Sequence, residues 1–230
     1  LVKCKRWSWK DQSLFVKLDE RAAQPEYSSG SMSSLSILIS GAGPCGLRAA
    51  IEAALHGAKA TVVELRTAFT RQNCLHLWPF MVDDLRSLHI KYFYPSFCSG
   101  AVEHVNIADL QMALLKVALL LGVEVHCDTA IRAIRKDRVS GTVVELTRPI
   151  AAVEQRRYDV LLAADGEHSN VLNILQFKKK YFHGGRSIGI TCNFENRKTP
   201  ADSSAEELAI ASQYHQDCFR KLQERHGIEL

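Results

Sequence analysis

Short apolar runs alternate with segments of helical periodicity through the first part of the chain. The run SILIS at Ser36–Ser40 is uninterrupted and predicts a buried parallel strand, and the run KATVV at Lys59–Val63 predicts a second one. Between them, residues 47–56 are rich in Ala and Leu and predict a helix that ends at Gly57. Strand, helix and strand in this order predict a βαβ unit of about 30 residues within a parallel sheet.

The same patterning continues towards the end of the chain. Asn106 is a favourable helix cap, and the apolar positions after it keep helical spacing as far as Gly122. Further runs predict strands at 123–127, 158–164 and 186–194, an antiparallel excursion within 131–158 and a helix at 205–226. Together these elements predict a doubly wound α/β fold.

Residues 1–34 form a lead-in to this pattern. A short amphipathic helix is predicted from the apolar residues Trp7, Trp9, Leu14, Phe15 and Leu18. Pro25 and the run SSGS at 28–31 predict that this helix ends and that a linker follows. An ordered tail that packs on the main body is the alternative interpretation of the same residues.

The composition is that of an ordinary globular protein. The 230 residues include 29 Lys and Arg against 25 Asp and Glu, which excludes a polybasic nucleic-acid-binding tail and a disordered chain. The apolar run 114–125 is interrupted by Lys116 and Glu124, so no membrane insertion is expected. Seven scattered cysteines without a CxxC pair predict reduced thiols in a cytosolic protein and no metal site. Because no Met begins the chain, we expect it to be part of a longer protein.

A glycine-rich turn, GAGPCG, joins the first predicted strand to the helix. In a dinucleotide-binding unit Gly41 permits the tight turn, Gly43 lets the backbone approach a pyrophosphate, and Gly46 lets the helix lie close to the strand. Glu64 ends the next strand, 18 positions after Gly46, where a carboxylate accepts hydrogen bonds from ribose hydroxyls. This context predicts a dinucleotide site, and a glycine-rich turn without a ligand is the alternative.

Two later segments bear on the kind of dinucleotide. Residues 66–105 form a long polar and aromatic excursion, which is the sort of segment that lines a larger ring system. For Trp78 and Phe80 within it, packing in the core is an equally good interpretation. Asp165 and Gly166 follow a buried strand, where the ligand edge of an open α/β sheet is expected, although a plain β-turn is the alternative.

These residues resemble the flavin monooxygenase domain of the MICAL family. The resemblance rests on the segments SILISGAGPCGLRAAIEAALHGAKATVVELR, FTRQNCLHLWPFMVDDLRSL, FCSGAVEHVNIADLQMALLKVALLLGVEVH and RSIGITCNFENRKT. The lead-in KLDERAAQPEY and the end FRKLQERHGIEL also resemble that family, so nearly the whole chain is covered. HLWPF after GAGPCGLR is a highly specific pairing, whereas the glycine fingerprint by itself fits many oxidoreductases.

The resemblance implies a fold and an activity. It implies a helical lead-in and linker over 1–34, a Rossmann-type FAD-binding domain of the aromatic-hydroxylase kind over 35–180, and the start of a mixed-sheet substrate domain over 181–230. It further implies a flavin-dependent monooxygenase in which NADPH reduces FAD and O2 then oxidises methionine residues of F-actin, so that filaments disassemble. F-actin is the implied partner, and the implied location is cytoplasmic and cytoskeleton-associated, with no nucleic-acid partner.

The resemblance also implies which residues contact FAD. The implied contacts are Gly41, Gly43, Cys45, Gly46, Glu64, Leu65, Arg66, Arg71, Gln72, Asn73, Ile131 and Asp165. Asn73 is expected to lie nearest the isoalloxazine and is the single candidate catalytic neighbour. Leu65 departs from the family, which has a lysine there, and Glu167-His168 replaces a more basic sequence after the Asp-Gly pair.

Two other interpretations stay open. The first is a non-catalytic nucleotide-binding fragment or paralogue that acts as a binding module; Leu65 favours it, and so does the continuation of the family's domain beyond the equivalent of Leu230. The second is an NAD(P)-dependent dehydrogenase that shares only the fingerprint, against which HLWPF argues. The basic run 178–180 with Arg186 is interpreted as a solvated face or, alternatively, as a contact for acidic actin.

Overall fold

The computed structural model describes residues 9–91, 93, 103–137, 141–180, 197–200 and 224–225. Its helices are α1 (Trp9–Ala22), α2 (Pro25–Ser28), α3 (Pro44–Leu55), α4 (Pro79–Ser87), α5 (Ile107–Leu120), α6 (Ala151–Glu154) and α7 (Asn170–Ile174). Its strands are β1 (Ser36–Ser40), β2 (Lys59–Val63), β3 (Cys74–Leu77), β4 (Glu103–Asn106), β5 (Glu124–His126), β6 (Ile131–Asp137), β7 (Gly141–Leu146) and β8 (Val160–Ala163). The predicted strand at 186–194 and nearly all of the predicted helix at 205–226 lie outside the described residues.

Four parallel strands form the central sheet in the order β5-β2-β1-β8. The predicted βαβ unit is confirmed, since β1 pairs with β2 in parallel register and α3 connects them. The chain leaves β1 towards β2 and later places β8 on the other side of β1, so the strand order reverses between β1 and β8. Ligands of open α/β sheets bind at such a reversal, beyond the carboxyl ends of the strands.

Side chains of the sheet alternate between two apolar layers. Ile39 and Val62 face α3 and α5, where they pack with residues such as Leu47 and Leu114. On the opposite face, Leu38 and Val63 pack against β6, β7 and α6, in a second cluster that contains Leu146, Val153 and Tyr158. Because successive strand residues point to opposite faces, uninterrupted apolar runs such as SILIS suit a sheet covered on both sides.

The segment between β2 and α5 contains regular structure that the sequence pattern does not indicate. Strands β3 and β4 pair antiparallel as a separate two-stranded sheet, with Cys74 opposite Asn106 and Leu77 opposite Glu103. Helix α4 begins at Pro79, a residue well suited to a first helical turn. The antiparallel excursion predicted within 131–158 is confirmed as the β6–β7 pair.

The predicted linker after α1 is wrong for the residues around Pro25. This proline begins a further helical turn, α2, and Tyr27 within it is only 5% exposed. The Tyr27 hydroxyl donates to Glu52 Oε1 at 3.1 Å and accepts a hydrogen bond from Arg21 at 3.0 Å, which joins the lead-in to α3. Leu18 is fully buried in the same core cluster, so α1 packs on the main body as well. The division of the chain near residues 35 and 181 stays a prediction.

An arginine joins α3 to α4 from the solvent side. The Arg48 guanidinium donates through Nε and one terminal nitrogen to the two Asp84 oxygens, both at 2.8 Å, and through the other nitrogen to Glu52 at 2.7 Å. Its side chain is 24% exposed, so these bonds are partly shielded from water. The hydrogen bonds from Arg48 lower the pKa of Asp84 despite the opposing effect of burial.

Replacing Arg48 tests the contribution of this connection to stability. We expect Arg48→Met to lower the free energy of unfolding by about 1–2 kcal/mol near neutral pH, because three charge-assisted hydrogen bonds are lost. The folded-state pKa of Asp84 is lowered, so the stabilisation is complete above the unfolded Asp value of about 3.9 and disappears as pH falls through the folded value. Urea unfolding at pH 7 and pH 3 therefore gives a smaller difference between variant and wild type at pH 3.

Arg132→Met is the matched control, because Arg132 pairs with Glu145 while its own side chain is 67% exposed. Its effect at pH 7 is expected to stay below about 1 kcal/mol. Equal effects of the two substitutions at pH 7, or an Arg48→Met effect that does not change with pH, would contradict the assigned role of Arg48.

Candidate functional site

The turn between β1 and α3 can be built only with glycine at two of its positions. Gly41 has a φ of +100°, and a Cβ there would lie 2.5 Å from the carbonyl oxygen of Ala164, at the end of β8. A Cβ on Gly46 would lie 2.0 Å from the carbonyl oxygen of Gly41. The expected roles of Gly41 in the tight turn and of Gly46 in the close approach of helix to strand are confirmed. Contact of either glycine with a cofactor stays a prediction.

Gly43 differs from its neighbours because the space around it is open. Apart from Gly43 and its two neighbours in the chain, no described residue has an atom within 4 Å of the position that a Cβ on Gly43 would take. Gly43 also occupies the cap position of α3, where no side chain accepts from the helix amides and no acidic residue stands in the first turn. The positive dipole end of a twelve-residue helix therefore lies beside this open space. This arrangement suits a phosphate group.

Side chains from two other elements fix the residue before Gly43. Glu64, at the end of β2 and 7% exposed, accepts from the Ala42 amide at 2.8 Å through Oε2 and from the Arg66 amide at 2.9 Å through Oε1. Gln111 of α5 donates to the Ala42 carbonyl oxygen at 3.1 Å. Because a carboxylate has about four acceptor positions, Glu64 retains capacity for ribose hydroxyls.

The sequence interpretation missed Gln111. Helical spacing from Ile107 and Leu114 places position 111 on the apolar face of α5, and in the structure this polar side chain is only 6% exposed. A buried amide needs hydrogen-bond partners, so a glutamine on an apolar helix face is a signal for a polar contact across the core.

The predicted flavin-side residues Arg71, Gln72 and Asn73 are exposed, and the last two contact the amino-terminal end of α5. The Asn73 carbonyl accepts from the Ile107 amide at 2.9 Å. Asn106 donates to the Gln72 side chain at 2.8 Å, while its own oxygen accepts from an amide in the first turn of α5. The predicted cap role of Asn106 is therefore confirmed, and the same residue holds the predicted flavin segment in place.

The aromatic residues that follow β3 do not pack in the core. Trp78 is 60% exposed and Phe80 is 71% exposed, so the core-packing interpretation of both is wrong. They flank Pro79 at the start of α4, directly after β3, whose first residue follows Asn73 in the chain. Exposed aromatic side chains beside a predicted ring-binding segment are available to cover a planar group.

Asp165 and Ile131 are brought together, but both already make bonds within the protein. The Asp165 carboxylate accepts from the Ser169 hydroxyl at 2.5 Å and from the Asn170 amide at 2.9 Å, at the start of α7. Ile131 is fully buried, and its carbonyl accepts from the Asn170 side chain at 2.6 Å. The backbone of Asp165 does border the turn, since its Cα would lie 2.8 Å from a Cβ on Gly41.

The remaining predicted contacts lie at the surface. The side chains of Cys45, Leu65 and Arg66 are exposed, and Leu65 has 66% of its surface in solvent. Cys127 follows β5, and burial together with the Glu64 carboxylate raises the pKa of its thiol, which therefore stays protonated near neutral pH.

Two further searches cover only the described ranges. No group of three or more His, Cys, Asp or Glu side chains there is arranged to hold a metal ion. No helix among the same residues is long and apolar enough to cross a bilayer.

Sequence comparisons identify relatives over nearly the whole chain. The family profile described as "Mical, Rossman domain" matches residues 186–230. A Danio rerio protein named protein-methionine sulfoxide oxidase mical3b is 44% identical over 229 residues, which is 96% of this chain and 14% of that protein. The Drosophila melanogaster F-actin monooxygenase Mical is 44% identical over 236 residues, covering 100% of this chain and 5% of that one. The Rattus norvegicus F-actin monooxygenase MICAL2 is 43% identical over 237 residues, which is 100% of this chain and 12% of that protein.

Structural comparison supports the fold class. The structure titled as a ternary complex of aklavinone-11 hydroxylase with FAD and aklavinone matches with a TM-score of 0.51 and 19% identity, over 62% of this chain and 35% of that one. The structure of FqzB matches with a TM-score of 0.53 and 18% identity, over 64% of this chain and 40% of that one. These likenesses confirm the Rossmann-type α/β architecture.

The chain spans only 5–14% of the length of the three sequence relatives. Because identity of 43–44% extends over at least 96% of its residues, the chain belongs to the MICAL family.

Proposed function

We propose that this chain is the FAD-binding part of a monooxygenase that oxidises methionine residues of F-actin with NADPH and O2. The observation that carries the proposal is the open space around Gly43, at the amino-terminal end of α3, with Ala42 held from both sides by Glu64 and Gln111. The names of the relatives support the reaction, since they describe F-actin monooxygenases and a methionine sulfoxide oxidase.

The described residues fit FAD at three places. The turn around Gly43 suits the pyrophosphate, and the free acceptor positions of Glu64 suit the adenosine ribose. The exposed segment from Arg71 to Asn73, followed by Trp78 and Phe80, suits the isoalloxazine. We assign the cofactor contacts to Gly41, Gly43, Cys45, Gly46, Glu64, Leu65, Arg66, Arg71, Gln72, Asn73, Ile131 and Asp165. We restrict Asp165 to a contact through its backbone, because its carboxylate already has partners, and Ile131 to a positioning role, because the residue is fully buried and its carbonyl accepts from Asn170.

The reaction divides the work between cofactor and protein. When bound, FAD supplies hydride acceptance from NADPH and activation of O2, which no amino-acid side chain provides. One oxygen atom goes to the methionine sulfur, and the other leaves as water with the hydride from NADPH and one proton. The chain's own residues bind and orient, and Asn73 is assigned the place nearest the reacting ring. Within this proposal F-actin is the partner and the protein is cytoplasmic and cytoskeleton-associated, with the substrate domain beginning near residue 181.

A pair of glycine variants tests the cofactor site. Each of Gly43→Ala and Gly46→Ala adds one methyl group, but only that on Gly46 meets backbone within the turn. We expect Gly43→Ala to keep the unfolding free energy within about 1 kcal/mol of wild type and to weaken FAD binding at least about tenfold. We expect Gly46→Ala to destabilise the fold by about 3 kcal/mol. The measurements are urea unfolding and the visible flavin spectrum that remains after mixing with FAD and desalting.

A wild-type chain that folds but retains no flavin would contradict the cofactor assignment. Equal FAD binding by wild type and Gly43→Ala would show that the turn does not approach the pyrophosphate. Methionine sulfoxide in F-actin, measured by mass spectrometry after incubation with the loaded chain and NADPH, then separates an enzyme from a binding module. FAD binding without new sulfoxide would favour the binding module for this chain.

Leu65 offers a second test because it replaces the family's lysine. Its side chain is exposed beside Glu64, so a cation there would lie near the adenosine end of the proposed site. We expect Leu65→Lys to strengthen FAD binding about two- to fivefold at low ionic strength, and less at high salt, because an exposed charge is screened. Fluorescence titration with FAD at two salt concentrations measures the change.

Leu119→Lys is the matched control, since Leu119 is 53% exposed near the opposite end of α5 from the flavin segment. It adds the same charge, so an equal gain in both variants would mean that net charge alone acts. No gain from Leu65→Lys would place the cofactor's charged groups away from position 65.

A further inference from the structure

Gln111 is a buried polar side chain within an apolar helix interface. It lies on α5, which packs against α3, and its neighbours Leu110 and Leu114 are 3% and 1% exposed. Its side-chain nitrogen donates to the Ala42 carbonyl oxygen at 3.1 Å, across 69 positions of sequence. An amide in such a place is costly to bury unless it makes this kind of bond.

The bond from Gln111 determines the orientation of one particular peptide group. The Ala42 carbonyl and the Gly43 amide belong to the same planar trans unit, in which C=O and N–H point in opposite directions. Holding the carbonyl against Gln111 therefore turns the Gly43 N–H away from α5. The preceding peptide is fixed separately, because the Ala42 amide donates to Glu64.

We propose that Gln111 is a positioning residue that directs the Gly43 N–H towards a pyrophosphate group, and so sets affinity for diphosphate-containing nucleotides. The nature of the ligand rests on the proposed function, whereas the orientation of the peptide rests on the contacts of Ala42 alone. Glu64 is assigned to the ribose as well as to the turn, so a change there would mix two effects. Gln111 donates to the Ala42 carbonyl oxygen, so replacing it alters the turn while Glu64 stays in place for the ribose.

Gln111→Met and Gln111→Glu probe the contact in different ways. The first keeps the length and volume of the side chain but leaves the Ala42 carbonyl without its donor. The second places a carboxylate oxygen against that carbonyl. Both variants are expected to let the Ala42–Gly43 peptide reorient, at a cost typical of one buried hydrogen bond. Met112→Leu on the same helix is the control, because Met112 is 57% exposed.

The test compares ADP with adenosine as ligands of the 230-residue chain. Adenosine lacks the pyrophosphate, so a role confined to the turn predicts that Gln111→Met weakens ADP about tenfold and adenosine less than about twofold. Amide hydrogen exchange of the free chain is the second readout. We expect the proteolytic fragment that covers the turn to exchange about tenfold faster in Gln111→Met, because a turn that loses the Gln111 bond also releases the Ala42 amide from Glu64 more often; exchange in Met112→Leu is expected to be unchanged.

The two readouts distinguish failure of the positioning role of Gln111 from failure of the proposed FAD-binding function. Equal weakening of ADP and adenosine, or unchanged affinity for both, would overturn the positioning role of Gln111. A wild-type chain that binds neither ADP nor FAD would contradict the proposed function, and hydrogen exchange at Ala42 would still decide whether Gln111 holds the turn. Faster exchange across all of α3 and α5, and not in the turn alone, would reduce Gln111 to a packing residue and overturn the inference.

Discussion

The close approach of α3 to the end of β1 is the constraint on which the site depends. The carbonyl oxygen of Gly41 occupies the place where a side chain on Gly46 would begin, and Gly41 itself lies against the backbone at the end of β8. No residue with a Cβ can hold these positions without moving the helix or the strand. Because α3 approaches β1 so closely, the helix begins at the point of the sheet where the strand order reverses.

Two polar side chains fix the conformation of the turn that the glycines make possible. Glu64, directly after β2, accepts from the Ala42 amide, and Gln111 of α5 donates to the carbonyl oxygen of the same residue. A glycine-rich turn has many accessible conformations, so two directed hydrogen bonds reduce its freedom and leave the Gly43 side open. The same bonds satisfy buried polar atoms, which explains how a carboxylate and an amide are tolerated beneath an apolar interface.

The outer elements hold this centre in place through different interactions. Asn106 caps α5 and at the same time bonds the segment that ends at Asn73, so the start of the helix and the proposed flavin segment are positioned together. Arg48 connects α3 to α4, and α4 begins beside the exposed Trp78 and Phe80. The lead-in adds a further support through Tyr27 and Glu52. Aromatic groups at the surface are thus carried by elements that are themselves fixed to the sheet.

The sequence by itself determined the βαβ unit, the roles of Gly41 and Gly46 in the turn, and the cap at Asn106, because each depends on residues close together in the chain. Similarity of the amino-acid sequence was likewise sufficient to identify the family. Only the tertiary structure decided that β3 pairs with β4, that Gln111 reaches Ala42, and that Asp165 is engaged at the start of α7. It also decided the exposure of Trp78 and the burial of Tyr27, which local periodicity leaves ambiguous. These features depend on which distant surfaces meet, and a hydrogen bond across 69 positions has no counterpart in the spacing of neighbouring residues.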